Sequence, residues 1–466
     1  MSVMGSEEAQ MGRGAKTLLS PAGIAARIRS FLLDRSDQSI AQRMAGAAFL
    51  IRVLSAGIAY VSQVLMARWM GGSEFGTYVS VWVWVLLIGH FANAGLASAA
   101  QRFVPEYAER GDHEGLRGFL AGGRRLGVVI ATLIAAAGLA VLWRFGHLFT
   151  GAMVMPLALA ALCLPMFVLT DIQDGIARSW NWTDLALGPP YLIRPFILLG
   201  CMAGGHFAGF ESNAVTAMGC AVVATWAAAV IQFVLLNRRI AGRVEAGPQR
   251  TETLFWLKTS LPIFVVETFY LALTYTDVVL LKQLRGPEEV AVYWAAVKTL
   301  ALVAFVYFAV AAAAAHRFSE YHVAGDKQKL ADFLRASIRW TFFPSLAATI
   351  LILALGKPFL MMFGPDYVKG YPAMFVVSVG LLARAAAGPV ERLLTMSGHQ
   401  TACALIYGGA FVAAVVLCLL LIPPFGMMGA AIATAAALTL ESALLVWVTT
   451  ARLGLSASFW IKPAAA

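Results

Sequence analysis

Twelve stretches of about twenty apolar residues, separated by short polar connections, fill the chain between residues 44 and 449. A bilayer core demands about twenty such residues per helix, and backbone inside it must satisfy its own hydrogen bonds, which here leaves the helix as the spanning element. On that ruler the spans fall at 44–66, 77–99, 126–146, 152–170, 187–208, 214–236, 259–281, 290–315, 341–363, 370–391, 402–422 and 427–449. The fourth is short, and the fifth carries Pro189, Pro190 and Pro195. Composition agrees: 60% of the residues are hydrophobic and 13% charged, where a soluble domain carries about a quarter charged. The expected fold class is an all-α integral membrane protein with twelve transmembrane helices.

The spacing of Lys and Arg orients the spans. The tail before the first span, the loops after even-numbered spans and the C-terminal tail hold 25 of them, against six in the loops after odd-numbered spans (Arg68, Arg144, Lys282, Arg285, Lys357 and Lys369). Positive charge marks the cytoplasmic side, so both termini are expected there. The first forty-two residues are polar and basic and lack the apolar core of a cleavable signal; around Ile24 to Leu33 they could wind into a short amphipathic surface helix. The formal charge of +10 is then a topology and lipid-surface signal, and nothing in it calls for nucleic acid as a partner. Cys163, Cys201, Cys220, Cys403 and Cys418 stand singly in apolar runs. That spacing fits neither a metal site nor a disulfide framework, and they read as small buried hydrophobes. No metal and no cofactor is expected.

The polar loops repeat. RFVPEYAERGDHEGLRGFL from Arg102 and RFSEYHVAGDKQKLADFL from Arg317 share Arg-Phe, Glu-Tyr, Gly-Asp, a Leu and a closing Phe-Leu, 214 to 215 residues apart. Glu74-Phe75-Gly76-Thr77-Tyr78 and Glu289-Val290-Ala291-Val292-Tyr293 share the offset, as do Ala99-Ala100-Gln101-Arg102-Phe103 and Ala314-Ala315-His316-Arg317-Phe318. The chain therefore reads as a 1–42 tail, a six-helix half over 43–240, a 241–258 linker, a second half over 259–450 and a 451–466 tail. An even number of spans returns the chain to its starting side. The halves are then parallel, with a pseudo-twofold axis along the membrane normal, an architecture of secondary transporters whose site lies between the halves near mid-membrane. Within each copy Asp112 and Asp326 are placed to cap a helix. Leu116, Phe119 and Leu120, and Leu330, Phe333 and Leu334, share one helical face. These segments are expected to lie on the cytoplasmic leaflet as braces leading into the next span.

Charge inside a span costs about 3 kcal/mol unless it is paired or wetted, so embedded ionisable residues are functional candidates. Arg52, Arg194, Lys298 and Arg384 are the cations, and Glu267, Asp277 and Glu441 the anions. Arg52 and Glu267 are 215 residues apart and so occupy equivalent places in spans 1 and 7. They are expected to face each other across the axis, either as a gate or as holders of an anionic headgroup and a coupling cation, or else to form a static pair. Arg194, set among prolines that free backbone carbonyls where a span lines a cavity, and Arg384, among small residues, are further substrate contacts. Gln63 and Arg68 mark the outer end of span 1 and are expected to contact substrate there. Asp277 and Lys298 flank a short hairpin and read as a structural pair, with Asp277 and Glu267 the candidate ion-coupling carboxylates. Glu441 and His90 read as lone polar groups satisfied locally.

GGSEFGTYVSVWVWV, TDVVLLKQLRGPEEVAVYWAAVKTLALV and GKPFLMMFGPDYVKGYPAMFVVSVGLLARAAAGPVERLLTMSGHQ resemble the junctions of spans 1–2 and 7–8 and spans 9–10 of polysaccharide-type lipid flippases. These belong to the multidrug/oligosaccharidyl-lipid/polysaccharide exporter superfamily, and the likeness runs over roughly residues 40 to 450. The resemblance implies a bacterial inner-membrane protein that moves an undecaprenyl-pyrophosphate-linked oligosaccharide to the periplasmic leaflet for O-antigen, capsule or exopolysaccharide assembly. It implies partners among polysaccharide polymerase and assembly proteins. It also implies a central cavity lined by spans 1 and 7, where Arg52 and Glu267 lie, with arginines meeting the pyrophosphate and sugar. No nucleotide-binding motif is present, so a cation or proton gradient or consumption of product must drive the step. A cation-coupled drug or metabolite antiporter of the same superfamily is the rival, kept open by Glu267 and weakened by Arg52 where an acid would stand. A membrane glycosyltransferase or ligase would need clustered carboxylates or a large external loop, which the sequence lacks.

Overall fold

The computed structural model describes residues 37–148 and 151–455; the expected surface helix near Ile24–Leu33 and the last eleven residues lie outside them. Among the described residues the secondary structure is helical throughout, and ten segments are long and apolar enough to cross a membrane. The first of these, Ile51–Glu109, holds most of span 1 and all of span 2, which are parted where the backbone leaves helical geometry at Gly71 (φ 75°, ψ 169°). Span 8 lies in the helix Pro287–Val323, 37 residues and so about 55 Å long at 1.5 Å per residue. Two spans break inside their expected limits. Span 9 ends at Ala354, and Gly356–Phe363 forms a separate short helix. Span 10 stops at Ala387, where Gly388 turns the chain at φ 66°. The break in span 10 leaves the apolar run intact as far as Val390, whereas the one in span 9 falls at Gly356-Lys357-Pro358, inside the expected limits. In span 5 the prolines produce a π-helical turn, Pro189–Ile193, between the helices Thr183–Gly188 and Arg194–Phe207.

The chain divides into two units, Met1–Val53 and Leu54–Ala466. Of the first, the described part is the opening of the helix Asp37–Asn93, so helix begins before the expected tail ends. The second unit carries the duplication in its hydrogen bonds. Asp112 accepts from the N–H of Gly115 at 2.9 Å and Asp326 from that of Lys329 at 3.0 Å, each capping the helix that follows it. Glu74 accepts from the N–H of Ala214 at the start of span 6, and Glu289 from that of Met427 at the start of span 12, both at 2.7 Å. A carboxylate there meets the positive end of the helix dipole. Gly71 and Gly286, also 215 apart, turn the 1–2 and 7–8 hairpins with φ 75° and 111°, a region that an L side chain avoids.

The braces depart from expectation in one respect. Leu116, Phe119, Leu120, Leu330 and Leu334 are buried in the protein rather than laid on lipid. Phe119 packs on Phe103, and Phe333 on Phe318, each at 5.3 Å between centroids. The linker from the first half to span 7 is strapped over the first brace. Arg250 pairs with Asp112, its N–H donates to the carbonyl of Glu114 at 3.1 Å, and the buried Trp256 donates its Nε1–H to Tyr107 Oη at 3.1 Å. At the opposite face the largest apolar core joins the halves, with Val64, Phe75 and Val83 clustering with Tyr293, Leu300 and Phe363. Tyr60 sits edge-on to Phe359 and Phe363 there, at 6.1 and 5.5 Å. Gly76 approaches so closely that a Cβ would lie 1.7 Å from the carbonyl oxygen of Pro287.

Candidate functional site

Span 7 contributes Glu267 and Tyr270, span 8 Tyr307, span 10 Arg384 and span 11 Tyr407 to a cavity of about 470 Å³ in the second half. Arg384 crosses it to donate through Nη2 to both carboxylate oxygens of Glu441, at 2.7 Å each. Its guanidinium lies 5.4 Å from the Tyr270 ring centroid. Glu441 is 1% exposed, and a charge so deeply buried persists only when paired. The partner of Glu441 is therefore a residue two spans away, where the sequence suggested local satisfaction. Around this neutralised guanidinium stand the tyrosines, with Glu267, Glu391 and Arg392 also on the lining, so the cavity offers polar and charged groups to a ligand.

Glu267 occupies the edge of this cavity nearest the first half. Ser98 donates to its Oε1 at 2.5 Å, and His90 Nε2 stands 3.6 Å from its Oε2. That ring nitrogen is buried with no hydrogen-bond partner among the described residues. Asp171 lies within electrostatic reach of both His90 and Glu267 and accepts from Asn93 Nδ2 at 2.5 Å. The local backbone arranges this: span 2 ends at Asn93, the chain turns through Ala94 and Gly95 at φ 52° and 75°, and Asn93 Oδ1 accepts from the N–H of Ala97 at 3.0 Å. Spans 2, 4 and 7 thus meet in a carboxylate–imidazole–carboxylate cluster joining the halves. Sequence reasoning missed Asp171, one residue beyond the expected end of span 4, because the helix Gly151–Ser179 outruns its apolar stretch. It also read His90 as isolated.

The first half holds a smaller cavity of about 130 Å³, lined by Ser62, Gln63, Tyr78, Trp82, Arg194 and Thr225 among others. Arg194 opens the helix after the π-helical turn of span 5. Its guanidinium stands 5.2 Å from the Trp82 and 5.7 Å from the Phe167 centroids; among the described residues it makes no ion pair within 4 Å, and Asp171 is an electrostatic neighbour. Gln63 accepts from Trp294 Nε1 at 2.7 Å and so reaches span 8.

Other expected site residues are otherwise engaged. Arg68 donates to the carbonyls of Met361, at 3.2 Å, and Met362, holding the last turn of the helix Gly356–Phe363. Asp277 accepts from Tyr293 at 2.6 Å, Thr434 at 2.9 Å and the N–H of Val278 at 2.7 Å. The expected Asp277–Lys298 pair takes a different form: the Lys298 ammonium lies over the Trp294 ring, 4.0 Å from its centroid, and Asp277 binds hydroxyls instead. Arg52 belongs to the N-terminal unit, and its place opposite Glu267 stays an expectation from the duplication.

The MatE family model matches residues 262–420. No protein of curated function matches the sequence. Among solved structures, the chain is similar to a multidrug resistance MATE family transporter of the MOP superfamily in an inward-facing conformation. That alignment has TM-score 0.70 and 14% identity and covers 87% of this chain and 94% of that one. It is similar to the lipid II flippase MurJ in an inward closed conformation, with TM-score 0.67, 14% identity and 87% of each chain covered. A third is a MOP superfamily transporter from Pyrococcus furiosus described as having a binding pocket of reversed polarity, with TM-score 0.67, 14% identity and 91% and 97% covered. Helical architecture, two parallel halves and these superpositions together give the chain the fold of the MATE and MurJ transporters of the MOP superfamily.

Proposed function

We propose that this protein is a flippase that carries a polyprenyl-pyrophosphate-linked oligosaccharide across a bacterial inner membrane for polysaccharide assembly, by alternating access between its halves. The observation that carries this reading is Arg194. A half-buried guanidinium with, among the described residues, no carboxylate within 4 Å, set among Gln63, Tyr78 and Thr225, suits a phosphate oxygen, with which arginine forms strong charge-assisted hydrogen bonds. The cavity around Arg384 and its tyrosines takes the sugars, and the polyprenyl tail stays in lipid. Arg52, the counterpart of Glu267 at the 215-residue offset, is a second candidate cation for the headgroup, and Gln63 and Arg68 are candidate contacts at the outer end of span 1. Glu267, with His90 and Asp171 behind it, is the group that exchanges a coupling proton or cation; Asp277, bound by two hydroxyls, is the second candidate.

Such a charge-assisted contact contributes about 1.5–3 kcal/mol, so Arg194→Ala should lower export of the finished polymer about ten- to a hundredfold at unchanged protein level. Normal export in that variant removes Arg194 from the site. The second reading is a cation-coupled multidrug antiporter, favoured by Glu267 opening on a cavity and by the fold shared with multidrug transporters. A deletion strain that becomes drug-sensitive while still exporting polymer selects it. Glu267→Gln keeps the shape and hydrogen bonding but cannot carry the ion. It should abolish transport driven by a gradient while leaving headgroup binding in place.

A further inference from the structure

Two grooves flank the molecule where each external hairpin leans on the opposite half, and they differ in kind. The 1–2 hairpin forms a cleft of about 1030 Å³ with the second half, lined by Arg68, Ser73, Glu288, Asp366 and Lys369 among others. The 7–8 hairpin forms one of about 970 Å³ with spans 2, 3 and 4, walled by Trp84, Ile88, Ile134, Val141, Leu157 and Leu164 among others. The duplication makes these equivalent places, because Ala67–Gly72 and Lys282–Pro287 correspond at the 215-residue offset. An apolar lining is therefore no default of the fold. The physical source of the difference is the neighbouring connection. Spans 9 and 10 are joined by the helix Gly356–Phe363 and the turn Pro365–Gly370, which bring polar groups to the cleft, whereas five residues, 146–150, join spans 3 and 4.

We propose that the apolar groove holds one anionic phospholipid of the outer leaflet, with an acyl chain along spans 3 and 4 and its phosphate at Lys282. Length fits. The wall from Leu157 to the end of the lining at Leu164, and from Ile134 to Leu142, follows the spans for about 10–12 Å, most of one leaflet of a core about 30 Å thick. Charge fits as well. The cationic side chains of the groove, Lys282 and Arg285, both stand on the hairpin at its outer rim, level with lipid headgroups. Arg285 is paired with Glu289 at 3.0 Å. Lys282 has Glu288 as an electrostatic neighbour but, among the described residues, no carboxylate within 4 Å. Beneath it the walls offer hydrocarbon and no counter-charge. This inference is independent of the cargo assigned above.

The test uses the full-length protein, delipidated in detergent and titrated with phosphatidylglycerol or phosphatidylcholine, with bound lipid counted by native mass spectrometry. One phosphatidylglycerol should be retained in preference to phosphatidylcholine. Lys282→Gln should weaken that retention about fivefold, as expected for one lysine near an anionic headgroup. Gly138 lines the groove, and a Cβ there meets nothing within 4 Å, so Gly138→Leu should displace the lipid without a clash. Lys369→Gln, in the polar cleft, should change nothing. Equal retention of the two lipids, or unchanged preference in Lys282→Gln, overturns the proposal; so does displacement of the bound lipid by undecaprenyl phosphate at equimolar concentration, which would give the groove to a polyprenyl tail. If Gly138→Leu fails to fold, Lys282→Gln decides alone.

Discussion

The two halves agree at their edges and disagree in their interiors. Asp112 and Asp326 cap the same helix in each half, and Glu74 and Glu289 cap another, with hydrogen bonds matching to within about 0.1 Å. Inside, the first half presents Arg194 against two aromatic rings, while the second locks Arg384 to Glu441. Duplication has kept the contacts that start and orient helices and has varied the charged groups of the interior. Among the described residues, one cavity carries a cation with no carboxylate within 4 Å and the other a cation paired with Glu441, a contrast that fits the two-part ligand proposed above.

The largest test of that contrast lies in the second half. Removing one partner of a buried ion pair leaves an uncompensated charge and costs about 3–5 kcal/mol. Glu441→Ala should therefore sharply lower the thermal unfolding midpoint of the purified protein, and Arg384→Ala less so, because Glu441 can take up a proton. Arg194→Ala should lose export with little change in unfolding temperature. If Arg194→Ala destabilises the fold as much as Glu441→Ala, both cations are structural and the contrast fails. The caps come next. Glu74→Ala and Glu289→Ala should each cost about 1 kcal/mol, and similar losses in unfolding measurements would show that the duplicated contacts are energetically duplicated. A loss confined to one half would mean that only one hairpin still depends on it.

The smallest effect is one of pH. The backbone N–H of Gly115 and then Arg250 hold the Asp112 carboxyl below its ordinary value; the N–H and ammonium of Lys329 do the same for Asp326. A carboxyl depressed in the folded state stabilises it above the unfolded value of about 3.9 and stops doing so as pH falls through the folded one. Amide exchange at Gly115 and Lys329 should thus stay protected at neutral pH and rise only in acid below about pH 4. Asp112→Asn should remove more of that acid response than Asp326→Asn, because Arg250 also ties Asp112 to the linker.

Much of this was legible in the residues. The twelve spans, their parallel duplication and both aspartate caps follow from apolar run length, the 215-residue offset and the Gly-Asp dipeptides. The end of span 10 was not legible in hydropathy, since Gly388 breaks the helix without breaking the hydrophobic stretch; the end of span 9 is marked by Gly356-Lys357-Pro358, which the apolar residues on either side outweighed. Asp171 escaped because helices project beyond the bilayer, and the residue that follows an apolar run is still inside the protein.

Sequence alone decided how many times the chain crosses the membrane, because a backbone in hydrocarbon must be helical and a helix must be about twenty residues long. Tertiary structure alone decided which charges meet. Arg384 finds Glu441 rather than a neighbour, Lys298 finds Trp294 rather than Asp277, and His90 reaches Glu267 in the other half. A side chain's depth is written in its position along a span, but its partner depends on the rotation of that helix about its own axis. Packing against the other spans sets that rotation.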